Sequence, residues 1–575
     1  MAFAYSPLPR PKVRAIIEGM ISPATQLTIV SAQMNPIVGA IDANLDQARV
    51  AVLWARSYKA DILVLGELYI LGYPPEDLVC KPAAVKDCME AVSSLAADTK
   101  SGDLSIIIGT PWRNDAGLFN AVAVLADGKV QEVRFKHELP NYAVFDEKRV
   151  FDAGPIPLPV MIKGVKIGVP ICEDIWFDRV TTMLKASGAE LLIVPNGSPY
   201  RRPVRDQRLA CAQARAKETS LPLIYVNQVG GQDELCFDGG SFALSHAGEI
   251  VQSLPNFTED LSVAHWERQA GKWICVEAKI VEQLVGLPAD YAAMVLALRD
   301  YVDKNAFPGV LLGLSGGIDS GLSAAVAADA LGPERVRCVM MPSQYTSQDS
   351  LDDAADNAKR LGVAYDIVAI EPAVDAFATM LSPMFKGTQP GVAEENIQSR
   401  TRAVILMALS NKLGHMVLTT GNKSEMAVGY ATLYGDMCGG YNALKDLYKM
   451  EVYALASWRN GHKCAIGLGP GGEVIPQRII DKAPSAELRE NQKDQDSLPP
   501  YPALDDMLHA FVEEEQEIED VVARGHELAT VQRIQNLLYV AEYKRRQAPP
   551  GVKIGTRNFG RDRRYPITNK YRDKV

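Results

Sequence analysis

The chain lacks the features that mark zinc-bound, disulfide-bonded, membrane-spanning or nucleic-acid-binding proteins. Its nine cysteines include no Cys-x-x-Cys pair, which argues against a zinc site and a disulfide framework. No apolar run is long enough to span a bilayer, and residues 1–26 contain no apolar segment of the signal-peptide type. The net charge of -10 argues against nucleic acid as the main partner, and no internal repeat is visible. We therefore expect a cytoplasmic protein whose partners are small molecules.

The sequence is long, and strand-like and helical segments alternate along both of its halves. A chain of 575 residues is too long for one hydrophobic core, so two or more domains are expected. In the first half, short apolar runs predict strands at 27–32, 62–65, 105–109, 121–125, 166–170, 191–195 and 223–226. The second half begins with a helical pattern at 292–305 and predicts a doubly wound parallel sheet. The predicted boundaries are an extension at 1–26, a domain at 27–270, a linker at 271–291 and a domain with a basic tail at 292–575.

The most informative stretch is a loop of small residues between an apolar run and an Ala-rich helical pattern. Residues 313–320 read Gly-Leu-Ser-Gly-Gly-Ile-Asp-Ser. A small-residue loop between a strand and a helix points backbone N–H groups at a phosphate, although a plain tight turn is the alternative. The loop has no Lys after its glycines, so it is not of the Walker type.

This pattern resembles the pyrophosphate loop of the ATP pyrophosphatases, which cleave ATP to AMP and pyrophosphate while adenylating a substrate. The resemblance implies that the second domain has the adenine nucleotide alpha hydrolase-like fold. It also implies that Asp319 is a ligand of Mg²⁺, a hard cation that prefers carboxylate oxygen. The implied ATP-binding residues of the loop are Gly313, Leu314, Ser315, Gly316, Gly317, Ile318, Asp319 and Ser320.

A second group of reactive side chains stands at strand ends in the first half. Cys172 directly follows a predicted strand, where a thiol is exposed for nucleophilic attack but needs a base and a positive group beside it. Glu67 follows the predicted strand at 62–65, and Lys136 ends the second strand of a predicted hairpin whose turn is at 126–129. Singly, an exposed Lys, a helix-capping Glu and a small buried Cys are ordinary structural residues.

Together and in this order they resemble the nitrilase superfamily of carbon–nitrogen hydrolases, which implies an αββα sandwich. By that resemblance Cys172 attacks an amide and forms a thioester, Glu67 is general base and then acid, and Lys136 stabilises the oxyanion. Glu147 is either a second carboxylate that orients Lys136 or a plain surface residue.

Two further stretches narrow the match to the glutaminase domains attached to NAD synthetases. Residues 139–147, Leu-Pro-Asn-Tyr-Ala-Val-Phe-Asp-Glu, imply that Tyr142 contacts glutamine. Residues 196–200, Asn-Gly-Ser-Pro-Tyr, imply the same for Ser198. Six residues after that serine the family usually has a Lys or Arg, but this chain has Val204, so Arg205 is the candidate substitute.

The second half carries matching motifs of the NAD synthetases. Residues 420–425, Thr-Gly-Asn-Lys-Ser-Glu, follow a predicted strand and precede Gly-Tyr-Ala-Thr-Leu-Tyr-Gly-Asp at 429–436. The resemblance implies that Thr420, Lys449 and Ser485 contact ATP and that Glu425 is a second Mg²⁺ ligand or a substrate contact. The implied contacts of deamido-NAD are Asn396, Glu425, Tyr430, Ala431, Thr432, Leu433 and Lys544.

The resemblance covers residues 27–575 and identifies the chain as a member of the glutamine-dependent NAD(+) synthetase family. It implies that ammonia from glutamine amidates deamido-NAD at the expense of ATP, yielding NAD, AMP, pyrophosphate and glutamate. We expect Mg²⁺, a sheltered path for ammonia and a homo-oligomer. One alternative is that the same two reactions, glutamine hydrolysis and adenylation, amidate another carboxylate or oxo acceptor. Another is a non-catalytic sensor, which has no need of a base, a nucleophile and a metal ligand together.

Overall fold

The computed structural model describes residues 24–573. The predicted N-terminal extension at 1–26 therefore lies outside the described residues except for its last three, and Gln26 already opens the first strand. Within 24–573, none of the helices combines the length and the apolar character that crossing a membrane requires.

Within the described residues, the first domain contains fifteen strands and four α-helices. The strands are β1 (Gln26–Gln33), β2 (Ile62–Val64), β3 (Ser105–Asn114), β4 (Gly117–Ala126), β5 (Lys129–Phe135), β6 (Val160–Ile162), β7 (Val165–Gly168), β8 (Leu191–Asn196), β9 (Leu223–Asn227), β10 (Val229–Gln232), β11 (Leu235–Asp238), β12 (Phe242–Leu244), β13 (Ile250–Ser253), β14 (Asp260–Gln269) and β15 (Lys272–Ala278). The helices are α1 (Ile41–Ser57), α2 (Pro82–Ala97), α3 (Asp178–Ala186) and α4 (Val204–Thr219).

Thirteen of these strands form two large sheets that pack face to face, and β10 and β11 form a separate hairpin. One sheet has the order β15-β14-β1-β2-β3-β4-β5, and the other has the order β13-β12-β9-β8-β7-β6. Apolar side chains of both inner faces, such as Ile29, Ile107 and Ile193, fill the space between the sheets. Helices α1 and α2 bury their apolar faces on the outside of the first sheet, and α3 and α4 do so on the second. The predicted αββα sandwich is confirmed.

The second domain is built on one parallel sheet. Its strands are β16 (Val310–Gly313), β17 (Val336–Met340), β18 (Ala364–Ile367), β19 (Met416–Thr419) and β20 (Tyr441–Asn442). Its helices are α5 (Leu287–Lys304), α6 (Ile318–Leu331), α7 (Gln348–Leu361), α8 (Glu371–Leu381), α9 (Val392–Leu413), α10 (Lys423–Val428), α11 (Lys449–Gly461), α12 (Gln477–Asp481), α13 (Tyr501–Val512), α14 (Ile518–Ala523), α15 (Leu528–Val540) and α16 (Glu542–Arg545).

The strand order of this sheet places a crevice where ligands of doubly wound folds bind. The order is β18-β17-β16-β19-β20, with all neighbours parallel. From β16 the chain first builds outward through β17 and β18, and then crosses to the other side of β16 to form β19. The direction reverses between β16 and β19, so a crevice opens at the carboxyl ends of these two strands. The predicted doubly wound parallel sheet is confirmed.

The predicted linker at 271–291 contains regular structure that the sequence did not reveal. Residues 270 and 271 form the turn of the β14–β15 hairpin, with φ values of +50° at Ala270 and +80° at Gly271. From the sequence alone, this turn predicts the end of the domain. Strand β15 continues the first sheet and buries Trp273, and α5 begins at Leu287, five residues before the predicted helix.

The two domains pack closely against each other. Helix α5 lies on the β10–β11 hairpin, where the Asp300 carboxylate accepts hydrogen bonds from the Gly231 amide (2.6 Å) and from Asn35 Nδ2 (2.7 Å). Residues 553–563, here called the returning segment, follow α16 and run back onto the first domain. The Lys553 amide donates to the Glu234 carbonyl at 2.9 Å, and Arg561 pairs with Glu76 and donates to the Val144 carbonyl at 3.3 Å.

Candidate active sites

The three predicted residues of the thiol site follow β2, β5 and β7 and meet at one edge of the sandwich. Cys172 has a φ of +43°, a conformation that costs energy for any residue other than glycine. Its turn is held by Asp174, whose carboxylate accepts from the Ile171 amide at 2.9 Å and from the Glu138 amide at 2.8 Å. Asp174 thereby ties the turn that carries the thiol to the segment that follows Lys136.

Lys136 is the centre of a fully buried network of charges. Its Nζ donates to Glu67 Oε1 at 2.6 Å and to Glu147 Oε1 at 2.8 Å. Tyr73 donates its hydroxyl to the same oxygen of Glu147 at 2.8 Å, and Asn120 Nδ2 donates to Glu67 Oε1 at 2.7 Å. Glu147 is only 4% exposed, so it is not a surface residue. The side chains of Lys136 and Glu67 are inaccessible as well, so Lys136 is not an exposed surface lysine.

The electrostatics of the network keep the thiol neutral and the lysine charged. Burial raises the pKa of Cys172 well above its usual value, and the charge of Glu67 acts in the same direction while Lys136 opposes it. Burial alone lowers the pKa of Lys136, but Glu147 and Glu67 outweigh it and raise that pKa. Burial also raises the pKa of Glu147 to about 7 against the opposing charge of Lys136. A thiol in such surroundings needs a base to become a thiolate, and Glu67 is one of the two carboxylates in contact with Lys136.

The loop after β8 carries Ser198, and an arginine that the sequence interpretation missed holds it in place. Arg208 Nε donates to Ser198 Oγ at 2.9 Å, and its Nη1 lies 2.7 Å from Asp238 Oδ1. Residues 204 and 208 lie one turn apart on α4, so Arg208 occupies the buried face on which the family's basic residue is replaced by Val204. That helical spacing is the signal that would have revealed Arg208.

Tyr142 and Arg205 have different surroundings. The Tyr142 hydroxyl donates to the carboxylate of Glu173, the residue after Cys172, at 3.0 Å. Arg205 instead lies 3.8 Å from Asp206 and lines a small recess with side chains of β12 and β13. The structure therefore brings Tyr142 to the residue beside the thiol, whereas within residues 24–573 the Arg205 side chain forms no hydrogen bond to Tyr142 or Ser198.

The second site is a cavity of about 310 Å³ at the carboxyl ends of β16 and β19. The predicted residues that line it are Gly313, Leu314, Ser315, Gly317, Ile318, Asp319, Ser320, Thr420, Glu425, Tyr430, Ala431, Lys449 and Ser485. Gly316 stands behind the loop with a φ of +78°, and a Cβ there would lie 2.4 Å from the Ser350 carbonyl oxygen. This position therefore requires glycine, which explains the second glycine of the loop at 313–320.

One buried lysine contacts both predicted metal-binding carboxylates of this cavity. Lys449 Nζ pairs with Asp319 Oδ2 and lies 3.3 Å from Glu425 Oε1, and Asn422 Nδ2 donates to Asp319 Oδ1 at 2.8 Å. Burial alone lowers the pKa of Lys449, but the two carboxylates outweigh it and raise that pKa. In residues 24–573 there is no cluster of three or more metal-ligating side chains. Two carboxylates in a nucleotide-sized cavity fit Mg²⁺, which takes most of its ligands from water and phosphate.

Each half of the chain matches a known protein family. Residues 28–273 match the model described as carbon-nitrogen hydrolase, and residues 290–548 match the model described as NAD synthase. The glutamine-dependent NAD(+) synthetase of Rhodobacter capsulatus is 52% identical over 95% of this chain and 99% of its own length. The chain belongs to the glutamine-dependent NAD(+) synthetases. The predicted family and the enzyme class, glutamine-hydrolysing NAD(+) synthase, are confirmed.

Other glutamine-dependent NAD(+) synthetases are similar over the same extent. The Xanthomonas campestris protein is 46% identical over 95% of this chain and 98% of its own length. The solved structure of the Acinetobacter baumannii synthetase in complex with ADP is 41% identical, with a TM-score of 0.75 over 95% of this chain and 99% of that one.

The remaining predicted residues of the synthetase domain stand just behind the cavity wall. Lys544 Nζ donates to the carbonyls of Gly429 and Ala431, each at 2.7 Å. Thr432 Oγ1 donates to Asn396 Oδ1 at 2.9 Å, and the Leu433 carbonyl accepts from Arg400 Nε at 3.2 Å. These residues fix the shape of the 429–433 loop. The lining residues that the sequence interpretation missed include Arg402, Asp436, Lys482 and Asp494.

Proposed function

We propose that the two sites cooperate in the ATP-dependent amidation of deamido-NAD to NAD, with ammonia released from glutamine. The observation that carries this proposal is the buried grouping of Cys172, Glu67 and Lys136 in one domain of a chain whose other domain holds a phosphate-type loop in a cavity. The similar Acinetobacter baumannii synthetase was solved with ADP, which supports nucleotide binding in that cavity.

At the thiol site, Cys172 Sγ attacks the carboxamide carbon of glutamine while its proton passes to Glu67. The developing oxyanion is stabilised by Lys136 Nζ, which Glu147 and Glu67 hold in one position. Glu67 then protonates the departing ammonia and leaves a thioester on Cys172. In the second half-reaction Glu67 takes a proton from water, and hydrolysis of the thioester releases glutamate.

Three side chains near the thiol are suited to the amino acid end of glutamine. Glu173 is 5% exposed and bonded to Tyr142, so its carboxylate is suited to an ammonium group. Ser198, held by Arg208, supplies a hydroxyl to the same ligand. Tyr142 itself is half exposed beside Glu173, where its ring can contact the same ligand.

In the synthetase cavity, the loop at 313–320 and the start of α6 direct backbone N–H groups at the phosphates of ATP. A carboxylate oxygen of the nicotinate group of deamido-NAD attacks the α-phosphorus, pyrophosphate leaves, and ammonia then displaces AMP from the acyl-adenylate. Asp319 and Glu425 are the proposed Mg²⁺ ligands, and Mg²⁺ there would neutralise the charge that develops on the phosphates. Lys449, Thr420 and Ser485 complete the ATP side.

The deamido-NAD side of the cavity is the wall at 430–433. Tyr430 and Ala431 line it, and Thr432 and Leu433 continue the same loop. Asn396 and Lys544 act on the ligand through this loop, because their polar atoms are bonded to it.

The proposal includes a homo-oligomer in the cytoplasm and a sheltered path for ammonia. Helix α8 has no buried residue, and α8, α9 and the residues between them expose Phe377, Met380, Met384, Val392 and Val404. An apolar surface of this kind is typical of a subunit contact. All nine cysteines are free, which suits a reducing compartment.

The test is NAD formation from deamido-NAD, ATP and Mg²⁺ with either glutamine or ammonium chloride as nitrogen source. We expect NAD from both sources, with one AMP rather than ADP per NAD formed. Release of glutamate and AMP with no NAD would keep the two sites and move the function to another acceptor. Binding of glutamine and ATP without any turnover would support the sensor alternative.

A further inference from the structure

The loop that leads into α4 contains a cation without a counter-ion. Arg201 lies three residues after Ser198, and its Nη2 donates to the neutral amide oxygen of Gln207 at 2.7 Å. Within the described range 24–573, no carboxylate forms an ion pair with Arg201. The three other arginines of this region are all paired: Arg202 with Asp290 and Glu451, Arg205 with Asp206, and Arg208 with Asp238.

The surroundings of Arg201 make its positive charge unfavourable in the absence of a bound anion. The side chain is largely withdrawn from solvent and lies near the guanidinium of Arg208, and both its burial and that second positive charge lower the pKa of Arg201. Tyr142 and Asp562 act in the opposite direction. Asp562 is already committed, because it pairs with Lys553 and accepts from the Asn558 amide at 2.9 Å. Asp238 pairs with Arg208 alone, so an incoming anion would stabilise the neighbouring charge of Arg201.

The position of Arg201 in the fold indicates which anion it binds. Arg201 shares its loop with Ser198, whose hydroxyl is bonded to Arg208, and it lies near Tyr142 at the thiol site. Arg205, which the sequence pattern favours, pairs with Asp206 and lines a recess that it shares with Arg208, Asp238 and side chains of β12 and β13. We propose that Arg201, and not Arg205, binds the α-carboxylate of glutamine. This assignment rests on the proposed function, in which glutamine is the nitrogen donor.

The test compares two amides that differ only in the α-carboxylate, glutamine and 4-aminobutanamide, together with ammonium chloride. NAD formation is measured for the wild type, Arg201→Gln, Arg205→Gln and the matched control Arg179→Gln, which alters an exposed arginine of α3. Loss of a charge-assisted bidentate contact predicts that kcat/KM for glutamine falls roughly 10- to 100-fold in Arg201→Gln. The same variant should use 4-aminobutanamide and ammonium as well as the wild type does.

Two results would overturn the assignment. If Arg205→Gln loses the preference for glutamine over 4-aminobutanamide while Arg201→Gln keeps it, Arg205 is the anchor. If Arg201→Gln loses activity equally with both amides but not with ammonium, its role is structural within the thiol site. A wild type that makes NAD from ammonium but releases nothing from glutamine would refute the proposed function itself, and that failure is seen before any variant is compared.

Discussion

Among the lysines that lie between pairs of carboxylates, Lys136 of the first domain and Lys423 of the second are the matched pair that tests the thiol site. Lys136 lies 2.6 Å from Glu67 and 2.8 Å from Glu147. Lys423 lies 2.7 Å from Asp446 and 2.5 Å from Glu513. Both side chains are inaccessible to solvent. Replacement of either by Met removes one charge from an otherwise similar environment and keeps most of the volume.

The structure sets the size of the effect of Lys136→Met. Removing one partner of a buried ion pair costs about 3–5 kcal/mol of stability, and Glu147, with a pKa of about 7, offsets part of that cost by taking up a proton. Loss of one donor to an oxyanion lowers kcat by roughly 10²- to 10³-fold. We therefore expect glutamine-supported NAD formation to fall by at least about 10²-fold while ammonium-supported formation stays close to wild type.

The assay measures glutamate release and NAD formation with each nitrogen source, together with thermal unfolding. Lys423→Met should lose a similar amount of stability and still release glutamate at close to the wild-type rate, because its cluster lies in the other domain. A folded Lys136→Met protein that hydrolyses glutamine within about tenfold of wild type would refute the role of Lys136. Equal loss with both nitrogen sources would show instead that the network is needed for the whole fold.

Three further predictions use the same assays. Cys172→Ala should abolish NAD formation with glutamine and spare it with ammonium, whereas Asp319→Ala should damage both; a Cys172→Ala protein that loses both would contradict the separation of the sites. Gly316→Ala should impair ATP-dependent NAD formation at least about tenfold and leave glutamate release intact, because a Cβ would lie 2.4 Å from the Ser350 carbonyl; wild-type rates would show that the loop adapts. Burial raises the pKa of Asp505 from 3.8 to about 6, so its contribution to stability is complete below about pH 4 and is lost as pH rises to about 6. Asp505→Asn should remove that part of the dependence of the melting temperature on pH, and an unchanged profile would show that this carboxyl does not titrate with folding.

The reactive residues could be predicted from the sequence because their context is local. Cys172 lies four residues beyond the end of β7, the loop at 313–320 begins at the last residue of β16, and parallel strands bring their carboxyl ends to one edge. The partners of these residues could not be predicted in the same way, because contacts across the fold bring them together. Tyr73 meets Glu147 from 74 positions away, and nothing in its immediate sequence indicates that contact.

Where the sequence interpretation differs from the structure, helical phase and turn chemistry explain the difference. Arg205 is next to the expected position in sequence, but on α4 the residue that shares the buried face with Val204 is Arg208. Ala270 and Gly271 resemble the end of a domain, yet they are a hairpin turn whose second strand extends the sheet.

The returning segment at 553–563 has a consequence for how the chain is made. During synthesis the first domain leaves the ribosome and folds long before these residues exist, so its surface around Glu76, Val144 and Glu234 is bare at that stage. That surface is covered only after the second domain has been translated through α16. A polypeptide interrupted between the domains would yield a first half with an uncovered docking surface, and the missing piece would have to be supplied by the other fragment.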